Sequence, residues 1–218
     1  MNNPAVTRLT SARIPTVYGN FQLSYYSNTQ DNKEHLAFVM GDVSQTDNVL
    51  VRIHSECFTG DVLGSRRCDC GEQLDRSLQL IAQQGAGVLV YLRQEGRGIG
   101  LLQKLRAYNL QDQGYDTVDA NLMLGHGADE RDYSLAARIL DNLGIKSVYL
   151  MTNNPLKISA LEVEGIQVNA RFPLEAAVHS DNEDYLLTKV QRMDHLIQLR
   201  AFPSAVNFGT IHVCQPTD

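Results

Sequence analysis

No stretch of this 218-residue chain approaches the roughly 20 consecutive apolar residues that a membrane helix requires. The opening M-N-N-P-A-V-T-R has no apolar run, so it is not expected to act as a secretory signal. A basic excess is also missing. The formal net charge is −6, which argues against a nucleic-acid binder and leaves no membrane or nucleic-acid partner expected. There is no internal repeat and no low-complexity linker. Cysteine is scarce, at four residues. Without an export signal the chain is expected in the cytoplasm, where thiols stay reduced and serve metals or catalysis before disulfides. The rest is ordinary for a globular protein: 43% apolar and 20% charged, with enough length to bury a full core.

What little charge asymmetry exists is local. Between Arg52 and Arg106 there are eight Lys/Arg against six Asp/Glu, so this span is positive and the remainder strongly negative. An anion could be held by local arginines while the surface stays acidic. The same span contains the densest chemistry of the chain, R-I-H-S-E-C-F-T-G-D-V-L-G-S-R-R-C-D-C (52–70), with three of the four cysteines at C-x10-C-x-C.

Apolar patterning predicts strands within residues 14–54, where Phe21, Leu23 and Tyr25 alternate after a Gly19-Asn20 turn and 35–40 and 49–53 are short β-rich runs. The period then changes. Leu74, Leu78 and Ile81 predict a helix ending near Gly85. Leu101, Leu105 and Tyr108 predict a second ending at Gly114, and Leu135, Ile139 and Leu143 a third closed by Gly144. Buried strands are expected at 87–92 and 147–151, and another strand at 165–172. Asn154-Pro155 opens a short helix, and Tyr185 to Leu199 reads as a final one. Strands first, then alternation, predict an α/β (α+β-like) fold: a mixed β-sheet flanked by helices, with a strand-rich N-terminal part. One domain is expected over 1–199, with an irregular tail at 200–218 that contains Cys214.

Zinc takes four ligands in structural sites but three protein ligands and a water in catalytic ones. Cys57, Cys68 and Cys70 match the second count. A structural zinc completed by His54, or three unrelated thiols, fit the spacing too. H-S-E-C resembles the H-x-E element of zinc deaminases, although the companion P-C-x-x-C is missing. Q-E-G-R-G-I-G (94–100) follows a strand and precedes a helix. Its amides could face phosphate, and Arg97 adds a guanidinium fork. D-E-R (129–131) puts Asp129 and Arg131 on one side of an extended backbone, or opens a helix with an acidic residue. Tyr108 shares a stripe with two leucines, which is a core pattern. Lys157 follows the T-N-N-P cap and either binds an anion or is solvated.

These motifs, in this order from Ile14 to Leu199, resemble GTP cyclohydrolase II: R-I-H-S-E-C-F-T-G-D, C-D-C-G-E-Q-L, R-Q-E-G-R-G-I-G-L, A-Y-N-L-Q-D-Q-G-Y-D-T-V-D-A-N, A-D-E-R-D-Y and T-N-N-P-L-K. The resemblance implies one zinc per chain on Cys57, Cys68 and Cys70 plus water, with Mg2+ on the substrate phosphates. It implies GTP contacts by Arg52, Ile53, His54, Ser55, Glu56, Gln73, Glu95, Gly96, Arg97, Thr117, Thr152 and Lys157. Asp129 matches a proton acceptor, Arg131 a nucleophile toward the α-phosphorus, and Tyr108 a tyrosine beside the reacting imidazole. Arginine stays protonated below about pH 12, so charge stabilisation is the physically easier role for Arg131. The implied reaction converts GTP to 2,5-diamino-6-ribosylamino-4(3H)-pyrimidinone 5′-phosphate, formate and diphosphate, and the implied assembly is a homodimer. Some relatives of this family carry a fused dihydroxybutanone-phosphate synthase domain, for which this chain is too short.

Overall fold

A computed structural model describes residues 4–198. The expectations about the 200–218 tail and Cys214 lie outside these residues. Seven strands form one mixed sheet: β1 (Val6–Thr16), β2 (Gly19–Asn28), β3 (His35–Met40), β4 (Val49–Ser55), β5 (Gly87–Leu92), β6 (Ser147–Met151) and β7 (Gln167–Phe172). Their spatial order is β1-β2-β3-β5-β4-β6-β7. The pairs β1-β2, β2-β3 and β3-β5 are antiparallel, whereas β5, β4, β6 and β7 are mutually parallel. The helices are α1 (Phe58–Asp61), α2 (Cys70–Gln84), α3 (Gly100–Gln111), α4 (Thr117–Met123), α5 (Ser134–Asn142), α6 (Pro155–Val163) and α7 (Glu183–Met193).

Period-two alternation divides the core between the two faces of this sheet. Val51, Ile53, Val88, Val90, Leu92, Val148 and Leu150 pack with Leu135, Ile139 and Leu140 of α5 and with Leu161 of α6. Leu89 and Met151 face the other way, against Leu80 and Ile81 of α2 and Phe21 of β2. Each fully buried leucine or isoleucine here contributes roughly 1.5–3 kcal/mol through removal from water. The helix ends follow local chemistry. α2 stops at Gly85, whose φ of 78° suits a residue without a Cβ. α6 starts where the Asn154 side chain accepts the amide of Leu156 ahead of Pro155.

The connections place β4 at a switch point. The chain leaves β4 through α2 to reach β5 on one side. It then leaves β5 through α3, α4 and α5 to reach β6 on the other side. Open parallel sheets bind ligands at the carboxyl ends of strands around such a reversal. Ser55, Leu92 and Met151 are those ends here.

Several local expectations need correction. The first strand begins at Val6, well before residue 14, and the first hairpin turns at Val17-Tyr18, with Gly19 already in β2. The second helix ends at Gln111 and buries a different stripe. Leu101, Leu102 and Leu105 are exposed, while Lys104 and Ala107 are buried. α4 was not expected, although the Asp116 carboxylate caps it by accepting from the amides of Val118 and Asp119. The last helix ends at Met193, where Asp194 turns into the left-handed region.

Candidate active site at the ends of the parallel strands

The alternation that sends Val51 and Ile53 into the core turns Arg52 toward α2 and His54 toward Asp61 at the end of α1. Arg52 donates from Nη1 to the carbonyl of Met151 (3.0 Å) and from Nη2 to Oε1 of Gln73 (2.6 Å). Gln73 in turn donates to Oδ2 of Asp69 (2.6 Å), and Lys189 of α7 donates to Oδ1 of the same carboxylate (2.6 Å). Burial lowers the pKa of Arg52, which the negative charge of Asp69 partly offsets. His54 Nε2 meets both oxygens of Asp61 at 3.0 Å, and Asp61 also accepts the Cys57 amide and the Tyr91 hydroxyl. Burial lowers the pKa of His54 despite this partner, so its ring is neutral at pH 7.

After β4, the turn into α1 and the start of α2 gather Cys57, Cys68 and Cys70. One ligand atom from each lies within 4.8 Å of the others, and His54 is not part of the group. The alternative of His54 as a fourth ligand is therefore not met, and the group is the three cysteines of the leading reading. Cys57 Sγ and Cys68 Sγ are 3.6 Å apart. Two thiolates on a tetrahedral zinc, with Zn–S near 2.3 Å, would sit about 3.8 Å apart. Hydrogen bonds from Cys68 and Cys70, helped by Lys104, push the Cys57 thiol far down, while Cys68 is pushed up to about 11 and Cys70 well above its usual value. Sulfurs this close ionise together only around a cation, so the donor set suits a metal ion and is compatible with zinc. Gly60 completes the cradle: a Cβ there would lie 3.0 Å from Cys68 Sγ and 3.1 Å from Cys57 Sγ. Gly60→Ala is expected to weaken zinc binding by at least tenfold in a chelator competition. Unchanged affinity would show that the sulfurs have slack.

Glu95 ties this cluster to the next loop. Its Oε2 accepts the Phe58 amide (2.6 Å), while Oε1 accepts the Gly96 amide (2.7 Å) and Lys104 Nζ (2.8 Å). Lys104 Nζ also lies 3.0 Å from Cys57 Sγ. The loop itself forms a 3-10 turn over Glu95–Gly98, with Gly96 and Arg97 both left-handed at φ 61°. Three of the amides offered by the sequence as a phosphate cradle already have protein acceptors. Those of Gly96, Gly98 and Ile99 are bonded to Glu95, Gln94 and Gly96. What the turn presents is the Arg97 side chain. A left-handed non-glycine residue costs free energy that the surroundings must offset, and the Arg97 carbonyl accepts the Glu130 amide at 3.0 Å.

Two adjoining cavities result. The first is lined by Ser55, Glu56, the three cysteines, Glu95, Gly96, Arg97, Tyr108, Thr117 and Arg131. The second is lined by Arg52, His54, Ser55, Cys70, Gln73, Arg97, Arg131, Thr152 and Lys157, with Tyr185, Lys189 and His195 from the C-terminal part. Tyr108 therefore belongs to the cysteine cavity, not to a core stripe, and its hydroxyl is 3.4 Å from Thr59 Oγ1. Burial raises its pKa. Lys157 is buried and donates to the Ile53 carbonyl (2.8 Å). Burial, then Arg52 and Arg131, push it well below an ordinary lysine.

Two predicted residues stand apart. The Ile53 side chain is in the core and offers only its carbonyl. Asp129 lines a separate, shallower cavity and reaches the site through Arg131, whose Nε (2.7 Å) and Nη2 donate to its carboxylate. Burial alone would raise Asp129, but Arg131 outweighs it and holds the carboxyl below its usual range. Asp129 and Arg131 share one side, as the i, i+2 spacing predicts. The segment opens no helix, because α5 begins only at Ser134. Sequence reasoning missed Asp61, Lys104, Lys189 and His195. Asp61 lies inside a motif already singled out, whereas nothing in the spacing of the other three marks them.

A family model described as GTP cyclohydrolase II matches residues 7–173. The riboflavin biosynthesis protein RibBA of Bacillus cereus is 54% identical over 194 residues, covering 89% of this chain and 49% of that protein. RibBA of Chlorobium phaeovibrioides is 53% identical over 192 residues, covering 88% and 47%. This chain thus spans about half the length of these curated relatives. A crystal structure of RibBX, a two-domain 3,4-dihydroxy-2-butanone 4-phosphate synthase from A. baumannii, aligns with a TM-score of 0.46 at 23% identity, over 77% of this chain and 40% of that one. With the family match spanning the sheet, the cysteine cluster and the arginine-lined cavity alike, the chain belongs to the GTP cyclohydrolase II family.

Proposed function

We propose that this chain is a zinc-dependent hydrolase that opens the imidazole ring of GTP. It yields 2,5-diamino-6-ribosylamino-4(3H)-pyrimidinone 5′-phosphate, formate and diphosphate, and so serves riboflavin biosynthesis, the process named for its relatives. One observation carries this reading: the cysteine cavity and the cationic cavity share Ser55, Cys70, Arg97, Arg131 and Tyr185 as common walls. A nucleoside triphosphate has two ends that need those two surroundings at once.

When bound at Cys57, Cys68 and Cys70, zinc supplies a Lewis acid and hydroxide at neutral pH, by lowering the pKa of water toward about 7. The chain's own residues do the rest. Lys104 and the Asp61-bonded amide hold Cys57 in place. The Tyr108 phenol stays protonated beside the ring and can donate to it. Arg52, Gln73, Arg97, Thr152 and Lys157 bind the phosphates, Mg2+ accompanies them, and Ser55, Glu56, Glu95, Gly96 and Thr117 line the nucleoside end. His54 lines the phosphate end, and Ile53 contributes through the carbonyl that accepts from Lys157. Asp129 is ionised at pH 7 and orients Arg131, whose fixed charge faces the departing diphosphate.

The test incubates zinc-loaded chain with GTP and Mg2+ and measures formate and diphosphate together. One of each per GTP consumed is expected. Tight GTP binding with no formate would leave a nucleotide-binding module, and formate from another purine nucleotide in preference to GTP would move the substrate.

A further inference from the structure

Residues 183–198 lie beyond the segment matched by the family model, yet they wall the cationic cavity. On α7, Tyr185 and Lys189 are one turn apart, with Lys189 Nζ 4.4 Å from the centre of the Tyr185 ring. Asp194 then turns left-handed (φ 53°) and folds the chain back. The His195 amide bonds the Lys189 carbonyl (3.0 Å), and the Leu196 amide bonds the Asn153 carbonyl (2.8 Å), just past β6. This turn brings the His195 ring into the cavity, where its Nε2 is buried without a protein partner. It is not alone. Arg52 Nε, Arg97 Nη2 and Asn154 Nδ2, on the same walls, are also buried and unpartnered. Buried polar atoms left this way point to a ligand that supplies acceptors.

The charge agrees. Arg52, Arg97, Arg131 and Lys189 line the cavity beside the Lys157 amine, and among the described residues no carboxylate does. Asp69 and Asp129 pair with Lys189 and Arg131 from behind. Asp69 takes one of the three donors an ammonium carries. Burial, with the charges of Lys189 and Arg131, pushes His195 down to about 2, so the ring is neutral and keeps one N–H to donate.

We propose that α7 and the turn after it complete the substrate site, with Lys189 Nζ and His195 binding the oligophosphate of the nucleotide. This rests on the proposed nucleotide reading for the ligand's identity, while inorganic diphosphate tests the wall by itself.

Calorimetric titration of diphosphate into zinc-loaded full chain is the experiment. Lys189→Met is expected to weaken diphosphate binding about 10- to 100-fold and to flatten its salt dependence, while Lys189→Arg stays within about threefold. His195→Leu, in a turn that leaves Asp69 paired, is expected to cost about three- to tenfold, and it decides the matter if Lys189→Met fails to fold. Folded variants with full zinc that bind diphosphate within twofold of the parent overturn the proposal, and so does a parent that does not bind diphosphate. A parent that binds diphosphate, loses it in these variants and releases no formate from GTP supports the wall and removes the hydrolase reading.

Discussion

Cys68→Ser is expected to leave the chain with near-zero zinc by elemental analysis and with formate release reduced by at least about 1,000-fold. Cys68 is buried, its sulfur 3.6 Å from that of Cys57, and a glycine is set against both. A serine hydroxyl is shorter and ionises far less readily than a thiol, and zinc sites of this kind need deprotonated ligands. Two cysteines alone do not define a third corner. The fold should persist, because the strands and the two apolar clusters do not involve this residue. A buried hydroxyl costs about 1–3 kcal/mol at most, which a thermal melt would register as a modest shift. Full zinc content together with parental turnover would remove the cluster from the chemistry.

Arg131→Ala is expected to lower diphosphate release by about 10³–10⁵-fold, the range a charge-stabilising arginine supplies in phosphoryl transfer. GTP affinity should fall by about tenfold or less, because Arg52, Arg97 and Lys157 remain on the same wall. Asp129 would lose the partner that holds it ionised. The cost in stability should reach toward, but not exceed, the roughly 3–5 kcal/mol of a broken buried pair, since both side chains keep some solvent contact. Equal losses in affinity and turnover would assign Arg131 to ground-state binding. A covalent guanylyl adduct on Arg131 would assign it nucleophilic attack. The pairing opposes that outcome: burial works against the guanidinium charge, but the Asp129 carboxylate, bonded through Nε and Nη2, helps to hold the pKa above that of ordinary arginine.

Much of this site is legible in the sequence because it is written in short spacings. The C-x10-C-x-C run, the D-E-R pair and the N-P helix start each place side chains through local backbone geometry, and all three are found as the spacing predicts. The strands at 87–92 and 147–151 were legible for a related reason, since a buried parallel strand is a bare apolar run. Failures occur where tertiary placement decides. Apolar periodicity turned α3 the wrong way, because its inward face serves a polar cavity through Lys104 and Tyr108 while its leucines are exposed. In the glycine-rich loop, the amides of Gly96, Gly98 and Ile99 close on the loop's own backbone and on Glu95, a pairing that its glycine spacing does not report. Lys189 is 120 residues from Asp69 in the chain, and no local pattern reports such a pairing.

The Cys68-Asp69-Cys70 tripeptide has a consequence for substrate choice. Its outer residues face the metal-ligand cluster, and its central carboxylate is the anchor for Gln73 and Lys189 on the opposite side. On the proposed reading, the metal-ligand cluster and the Lys189 contact to phosphate hang on one tripeptide. It would then act as a ruler, and a nucleotide with a shorter tail would reach one end of it but not both.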